Sequence, residues 1–326
     1  MTKVLLIGAT GYVGKTVADT LVRSGQHEVW GIARSESKAK QLALGEVRPV
    51  LSPDPVNQPA PWVDAIRHNH IDVVVDASTA SRDQEKVFAL VKTLGTERIE
   101  RNKAPGGWGA CGPKLGYIMT SGTWLYGNRH TRVNELDDIG VESGHNPASP
   151  IAWRPDFDKT ILAARDVLDV ALIRPALIYG REGTIWTTFI LPLLEASRKG
   201  VSVPVEVPLD ANSRPALIHI DDVASGYQLA IEKLSLLNSG SVHPVFDLVT
   251  SQERMEDIID GFATTWGVKG GVKLVGPGGN GFAEAMSTSL KGSSGRARQL
   301  LGWEPRKLDG MVGGIDVHAA AFASQH

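Results

Sequence analysis

Residues 4–14, VLLIGATGYVG, restrict the fold of this chain more than any other stretch. An apolar run of strand length ends on Gly8, and glycines recur at positions 11 and 14 as a helical pattern begins in GKTVADTLVRSG (14–25). A second apolar run, EVWGIA (28–33), follows. Strand, glycine turn, helix and strand in this order make a βαβ unit. Its turn lets backbone pass close to a pyrophosphate, and the helix start offers unpaired N–H groups to the anion. Gly8, Thr10, Gly11, Tyr12, Val13 and Gly14 are therefore candidates for holding a dinucleotide.

The same rhythm continues along the chain. VRPVL (47–51), IDVVVDA (71–77), GYIMTSG (116–122) and DVALIRPALIYG (169–180) read as strands, with an amphipathic stretch near WVDAIRHNH and a helix over EKVFALVKTL (85–94) between them. Unbroken Val/Ile/Leu strands alternating with helices predict a doubly wound α/β fold, a Rossmann-type parallel sheet covered on both faces. A chain of 326 residues exceeds what one core usually fills, so a smaller C-terminal substrate lobe is expected as well. Two breaks place it. Residues 96–116 read as an irregular surface excursion, and beyond Gly180 Pro and Gly punctuate the pattern. HIDDVASGYQLAIEK (219–233) then reads as a helix capped by Asp221 or Asp222, returning to the sheet. The expected division is 1–180 with 215–250 as the dinucleotide domain, and 181–214 with 251–326 as the substrate lobe.

Charge and cysteine content exclude several classes. A net charge of −2 without a basic cluster gives no nucleic-acid footprint. Cys111, the single cysteine, forms no intrachain disulfide or thiolate metal site, and without a basic neighbour it reads as inert. No metal-ligand spacing is present, and no apolar run is long enough for a bilayer span or a signal peptide. The expectation is a soluble cytoplasmic protein with a small-molecule substrate, no metal, and no nucleic-acid or membrane partner.

The end of the second strand bears on which dinucleotide binds. An acid about twenty residues beyond the glycine turn would hold the ribose 2′-hydroxyl of NAD. Here GIARSES places Arg34 and Ser35 at that point, and a guanidinium suits a 2′-phosphate. NADP(H) is favoured, with NAD(H) left open by the nearby Glu36. Ala77 and Ser78, ending the fourth strand, belong at the carboxyl edge where the cofactor lies.

With these residues in view, the chain resembles the short-chain dehydrogenase/reductase superfamily, in its extended or atypical branch of NAD(P)-dependent epimerase/dehydratase-like proteins. GATGYVG looks like that branch's cofactor turn, TSGTWLYG like its fifth-strand end and LIRPALIYG, with Pro175, like its sixth strand. HIDDVASGY and LLGWEP complete the resemblance, which covers nearly the whole chain. It implies a Ser or Thr positioning the substrate oxygen, a Tyr moving the proton, and a Lys that binds the nicotinamide ribose and lowers the Tyr pKa. The chain departs from that pattern twice. Gly122 stands where the hydroxyl belongs, flanked by Ser121 and Thr123, and Pro155 stands where the Tyr four residues before Lys159 belongs. Ser121, Thr123 and Lys159 are the remaining catalytic candidates, Lys159 also as ribose ligand or else as a solvated charge. Tyr126 and Tyr179, at strand ends expected to face the cleft, are candidate replacement phenols, although each reads first as a packing residue with a hydrogen-bonded tip.

The resemblance leads to an NADP-dependent oxidoreductase acting on a small carbonyl or hydroxyl compound. Two alternatives stand beside it: an isomerase, epimerase or dehydratase without net redox, and a catalytically silent NADP(H)-sensing protein. The superfamily's habit of pairing through sheet-domain helices makes a homodimer compatible with either.

Overall fold

A computed structural model of the protein describes residues 1–78, 80–107, 112–140, 145–182, 185–238 and 240–326. The first half alternates β1 (Thr2–Ile7), α1 (Tyr12–Ser24), β2 (His27–Ala33), α2 (Glu36–Leu44), β3 (Arg48–Leu51), α3 (Ala60–Asn69), β4 (Val73–Asp76), α4 (Asp83–Lys103) and β5 (Leu115–Thr120). Then come β6 (Arg129–Arg132), α5 (Arg154–Leu162), β7 (Leu168–Pro175), β8 (Leu177–Tyr179), α6 (Thr187–Lys199), β9 (Val205–Val207), β10 (Ala216–His219) and α7 (Ile220–Leu237). The chain closes with β11 (Val245–Leu248), β12 (Ser251–Gln252), α8 (Met255–Thr265), β13 (Val272–Leu274), α9 (Gly281–Met286), β14 (Leu290–Lys291), α10 (Gly310–Gly313) and α11 (Ile315–Ala323).

Seven strands form one parallel sheet in the order β11-β7-β5-β4-β1-β2-β3. The predicted doubly wound α/β fold is what the chain adopts. β1 pairs with β2 on one side and β4 on the other, so the chain reverses direction across the sheet at β1. A crevice opens beyond the strand ends at such a reversal. Side chains alternate between two cores: Val4, Leu6, Val73, Val75, Ile118, Ala171 and Ile173 face α1 and α7, whereas Leu5, Ile7, Val74, Tyr117, Met119, Val170 and Leu172 face α3, α4 and α5. Burial on both faces is why these strands read as unbroken apolar runs.

The glycine turn works through close approach. A Cβ on Gly14 would lie 2.2 Å from the Gly8 carbonyl oxygen, and one on Gly8 would lie 2.6 Å from the Ala77 carbonyl oxygen at φ +82°. Only hydrogen at these positions lets α1 rest on the end of β1 while β1 stays beside β4.

Three expectations change. Helix α4 runs on to Lys103, through the first part of the expected excursion; residues 108–111, with Cys111, lie outside the described residues. Apolar periodicity fades after Leu94, but Arg67 pairs with Glu97, Lys103 with Glu100, and the Asn102 amide donates to the Pro113 carbonyl at 3.2 Å. Polar contacts, invisible to a hydrophobic pattern, carry those last turns. The expected strand 169–180 is two strands: Pro175 brings no N–H to a ladder, and β8 leaves the main sheet to pair with β10. The cap of α7 is His219, whose Nδ1 accepts the Asp221 N–H at 3.2 Å. Burial lowers the His219 pKa to about 4, which keeps Nδ1 free to accept. Asp222 instead takes the Arg306 and Lys307 N–H groups at 2.8 and 3.0 Å and so docks the chain after Trp303.

A third apolar cluster joins β8 and α6 to α8, α9 and α11 through Trp186, Phe189, Leu193, Phe262, Met286 and Phe322. Gly14→Ala should destabilise the protein by about 3 kcal/mol, because backbone rather than a flexible side chain occupies the space. Denaturant unfolding checks this, and a loss under about 1 kcal/mol would refute the tight-approach argument.

Candidate active site

A cleft of about 440 Å³ opens at the carboxyl edge of the sheet. One wall is the start of α1, with Gly11, Tyr12 and Val13; opposite it lie Ala77, Ser78 and Ala80, the 120–124 segment, and Arg154 from α5. Pro175, Ala176, Leu177, Ile178, Ile151 and Ile185 complete an apolar enclosure. Helix α1 has Gly11 at its N-cap and no side-chain cap bond, so its first N–H groups remain available to an anion.

Each candidate can now be placed. Gly11, Tyr12, Val13, Ala77, Ser78, Ser121, Thr123 and Pro175 line the cleft. Gly8 and Gly14 lie beneath the turn and shape it. Thr10 lines a separate groove between the turn and α2, along with Lys15 and Lys38. Arg34 is exposed just past β2, outside the cleft lining, and Ser35 caps α2 by accepting the Lys38 N–H at 3.3 Å. Lys159 also falls outside the lining: its side chain is 53% exposed and its ammonium lies 4.0 Å from Asp156.

Beneath the cleft floor, polar groups interlock. Ser78 donates through N–H and Oγ to Asp76 at 3.0 and 2.5 Å, and the Tyr117 hydroxyl reaches the other Asp76 oxygen at 3.4 Å. Thr120 Oγ1 donates to the Asp76 carbonyl at 2.8 Å and accepts from Tyr227 at 2.5 Å. Ser121 Oγ donates to Asp158 at 2.9 Å. Asp158 in turn takes two bonds from Arg174, at 3.0 and 3.3 Å. This ion pair is buried and ties α5 to β7. Burial pushes the Asp158 pKa up, and Arg174, then Arg154, pull it back.

Neither expected phenol faces the cleft. Tyr126 turns inward, donating to Asp247 at 2.7 Å and accepting from Arg174 at 3.3 Å. Tyr179 is buried against His219 and His318. Tyr179 ends β8, whereas Tyr126 ends a short helical turn over Thr123–Tyr126 rather than a strand, and packing turns both rings inward. Tyr12 lines the cleft, but its hydroxyl donates to the Gly180 carbonyl at 2.5 Å. Burial raises the pKa of all five tyrosines, so none is tuned toward neutrality as an acid/base. Pro155 is buried and packs near Gly140, where a Cβ would lie 3.3 Å away. Gly122 has space: the nearest atom to an added Cβ is 3.9 Å off. His145 stays outside the cleft lining, Arg181 pairs with Asp221 at 2.8 Å, and Arg214 is exposed. Among the described residues no His/Cys/Asp/Glu group could hold a metal, and no helix is long and apolar enough to cross a membrane.

Sequence reasoning missed Arg154 and Trp124 among the lining residues, along with Thr120 and most of the apolar enclosure. Arg154 sits one place before the departed Tyr, and charge at a helix start ordinarily signals surface.

Asp247 lies at the far end of the network. Burial raises its pKa to about 7, opposed by Arg174 and reinforced by Glu135, whose own pKa burial also raises. A carboxyl that keeps its proton when folded and loses it near 3.8 when unfolded stabilises fully below the lower value. That contribution declines as pH rises from about 4 to about 7. Asp247→Asn should flatten this part of the melting-temperature profile; an unchanged slope would show that Asp247 ionises normally.

One family model and a set of solved structures match the chain. The family model described as NAD dependent epimerase/dehydratase family matches residues 4–242. No curated protein sequence matches the chain. Among solved structures, it is similar to dTDP-glucose 4,6-dehydratase from Bacillus anthracis str. Ames in complex with NAD, at 14% identity and a TM-score of 0.73, covering 98% of this chain and 96% of that one. It is also similar to UDP-glucuronic acid 4-epimerase from Bacillus cereus in complex with NAD, at 16% identity and a TM-score of 0.70, covering 99% of each chain. MoeE5 in complex with UDP-glucose and NAD follows at 17% identity and 0.68, covering 98% of each. At these identities the likeness to solved structures is one of fold.

Proposed function

Because the chain belongs to the NAD dependent epimerase/dehydratase family, we propose that its cleft binds a nicotinamide dinucleotide and that it isomerises, epimerises or dehydrates a small hydroxylated substrate without net redox. One observation carries this reading: the Ser121 hydroxyl, bonded to buried Asp158, lines the same cleft as the α1 N-terminus. The sugar-nucleotide dehydratase and epimerase folds favour it over a carbonyl reductase that consumes cofactor.

The fit to a dinucleotide is supported by the uncapped start of α1 and the close backbone approach at Gly8 and Gly14. When bound, the nicotinamide supplies a hydride acceptor and donor. Ser121 Oγ would accept a hydrogen bond from the substrate hydroxyl while its own O–H donates to Asp158. With that chemistry supplied, the substrate's hydroxyl proton would pass to Ser121 Oγ as the Ser121 proton passes to Asp158, so that an alcohol could become a carbonyl with both protons accounted for. The reverse transfer restores an alcohol. Arg174 holds Asp158 in place with two N–H bonds, and the Asp158 pKa, raised by burial and lowered by Arg174, makes it a stronger base than an exposed carboxylate. Thr123 supplies a second hydroxyl from the same segment. Lys159 keeps a place in this scheme only as a ribose ligand.

Ser121→Ala should lower turnover by about 10²-fold or more while dinucleotide affinity stays within about twofold. Stopped assays that follow substrate interconversion and nicotinamide absorbance together also separate net redox from isomerisation. Accumulation of reduced cofactor equal to product would restore the oxidoreductase.

Arg34, in place of an acid, supports acceptance of NADP(H), whereas the named neighbours hold NAD. Arg34→Asp should weaken NADPH by about tenfold or more and leave NADH unchanged. Equal losses for both would remove Arg34 from cofactor choice.

A second reading has its own support. With Gly122 and Pro155 at the expected hydroxyl and phenol positions, a silent dinucleotide sensor needs no proton carrier. NADPH binding without turnover of any sugar-nucleotide or carbonyl substrate, in wild type and Ser121→Ala alike, would favour it.

A further inference from the structure

Arg154 opens α5 and is only 3% exposed, yet its side chain forms part of the cleft wall. Its Nη1 donates to the Thr120 carbonyl at 3.0 Å and to the Met119 sulfur at 3.6 Å, and its Nη2 donates to Gln84 Oε1 at 2.6 Å. All three acceptors are neutral. Among the described residues Arg154 has no ion pair, and the Trp153 ring lies 4.9 Å from its guanidinium carbon. Asp158 and Asp76 act on it only through space. Both are engaged elsewhere, Asp158 by Arg174 and Ser121, Asp76 by Ser78 and Tyr117. A guanidinium taken from water and given only neutral acceptors is held at a cost. An anion arriving from the cleft would offset that cost with charge-assisted bonds.

We propose that Arg154 forms an anion subsite in the cleft, so that the substrate carries a carboxylate or a phosphate group. This rests on the reading of the cleft as the site that dinucleotide and substrate share. The cofactor's pyrophosphate belongs at the start of α1, which follows β1, whereas Arg154 bonds to the end of β5. In the sheet order β4 lies between them. The subsite is therefore displaced toward α5, on the side where Ser121 and Thr123 present their hydroxyls. An anionic group gripped there would set the distance between the substrate's reacting carbon and Ser121. The apolar wall of Trp124, Ile151 and Leu177 suits the neutral body of such a molecule.

Three probes of one shape test it: benzoate, phenyl phosphate and neutral benzamide, titrated into the full chain by calorimetry with and without saturating NADP⁺. At least one anion should bind about tenfold or more tightly than benzamide, and the tighter one tells carboxylate from phosphate. Arg154→Gln should bring all three within about twofold, and Arg154→Lys should retain part of the preference. Equal binding of the three by wild type, no binding of either anion, or an anion preference that survives Arg154→Gln would overturn the inference. Displacement of the anions by NADP⁺ would overturn it too, by assigning Arg154 to the cofactor. If Arg154→Gln does not fold, the Nε–H resonance of Arg154, assigned with Arg154→Lys, decides: it shifts with an anion and not with benzamide, or the inference fails. Absence of NADPH and NADH binding would count against the dinucleotide reading alone, since the anion titrations without cofactor stand apart from it.

Discussion

Everything at the β1–α1 end of the cleft follows from a backbone contact. Gly14 lies so close to the Gly8 carbonyl that no side chain fits between them, and Gly8 also lies too close to Ala77 for one. These two approaches seat the first turn of α1 directly above the gap between β1 and β4. The helix start, with its unpaired N–H groups, and the reversal of sheet direction therefore coincide. The cleft is where it is because three strand and helix ends meet across glycine hydrogens.

The opposite wall is organised by charge. Arg174 on β7 and Asp158 on α5 form a buried pair, and Asp158 also holds Ser121, so one interaction orients helix, strand and cleft hydroxyl together. Removing either partner would leave an uncompensated buried charge, which costs about 3–5 kcal/mol. The network extends through Tyr126 to Asp247 and Glu135 beneath the sheet edge. The same packing keeps all five phenols neutral and uses their hydroxyls as donors or buries them. A chain without the Tyr–Lys pair has thus not moved a phenol into its place. Among the described residues the polar groups lining the cleft include the Ser78, Ser121 and Thr123 side chains, the start of α1 and the Arg154 guanidinium.

What could be read in advance varied with the kind of signal. The parallel sheet was legible because Val4–Ile7, Val73–Val75 and Leu115–Met119 are buried on both faces, and such strands print unbroken apolar runs. The glycine turn was legible because its glycines answer a local steric demand. The last turns of α4 were not, since ion pairs rather than apolar spacing support them. The division of 169–180 into β7 and β8 depended on a partner strand forty residues away, and His219 as the cap of α7 depended on burial keeping its ring neutral.

Sequence by itself determined the layered fold and the place of the glycine turn between β1 and α1, because each is encoded within a few neighbouring residues. Tertiary structure alone decided that Ser121 rests on Asp158, that Tyr126 and Tyr179 turn inward, and that Arg154 lines the cleft while Lys159 does not. Those are contacts between residues far apart in the chain, 37 positions for Ser121 and Asp158 and 121 for Tyr126 and Asp247, or directions set by packing against distant elements. Local spacing records which face of a helix or strand a residue occupies. It does not record what the rest of the chain brings to that face.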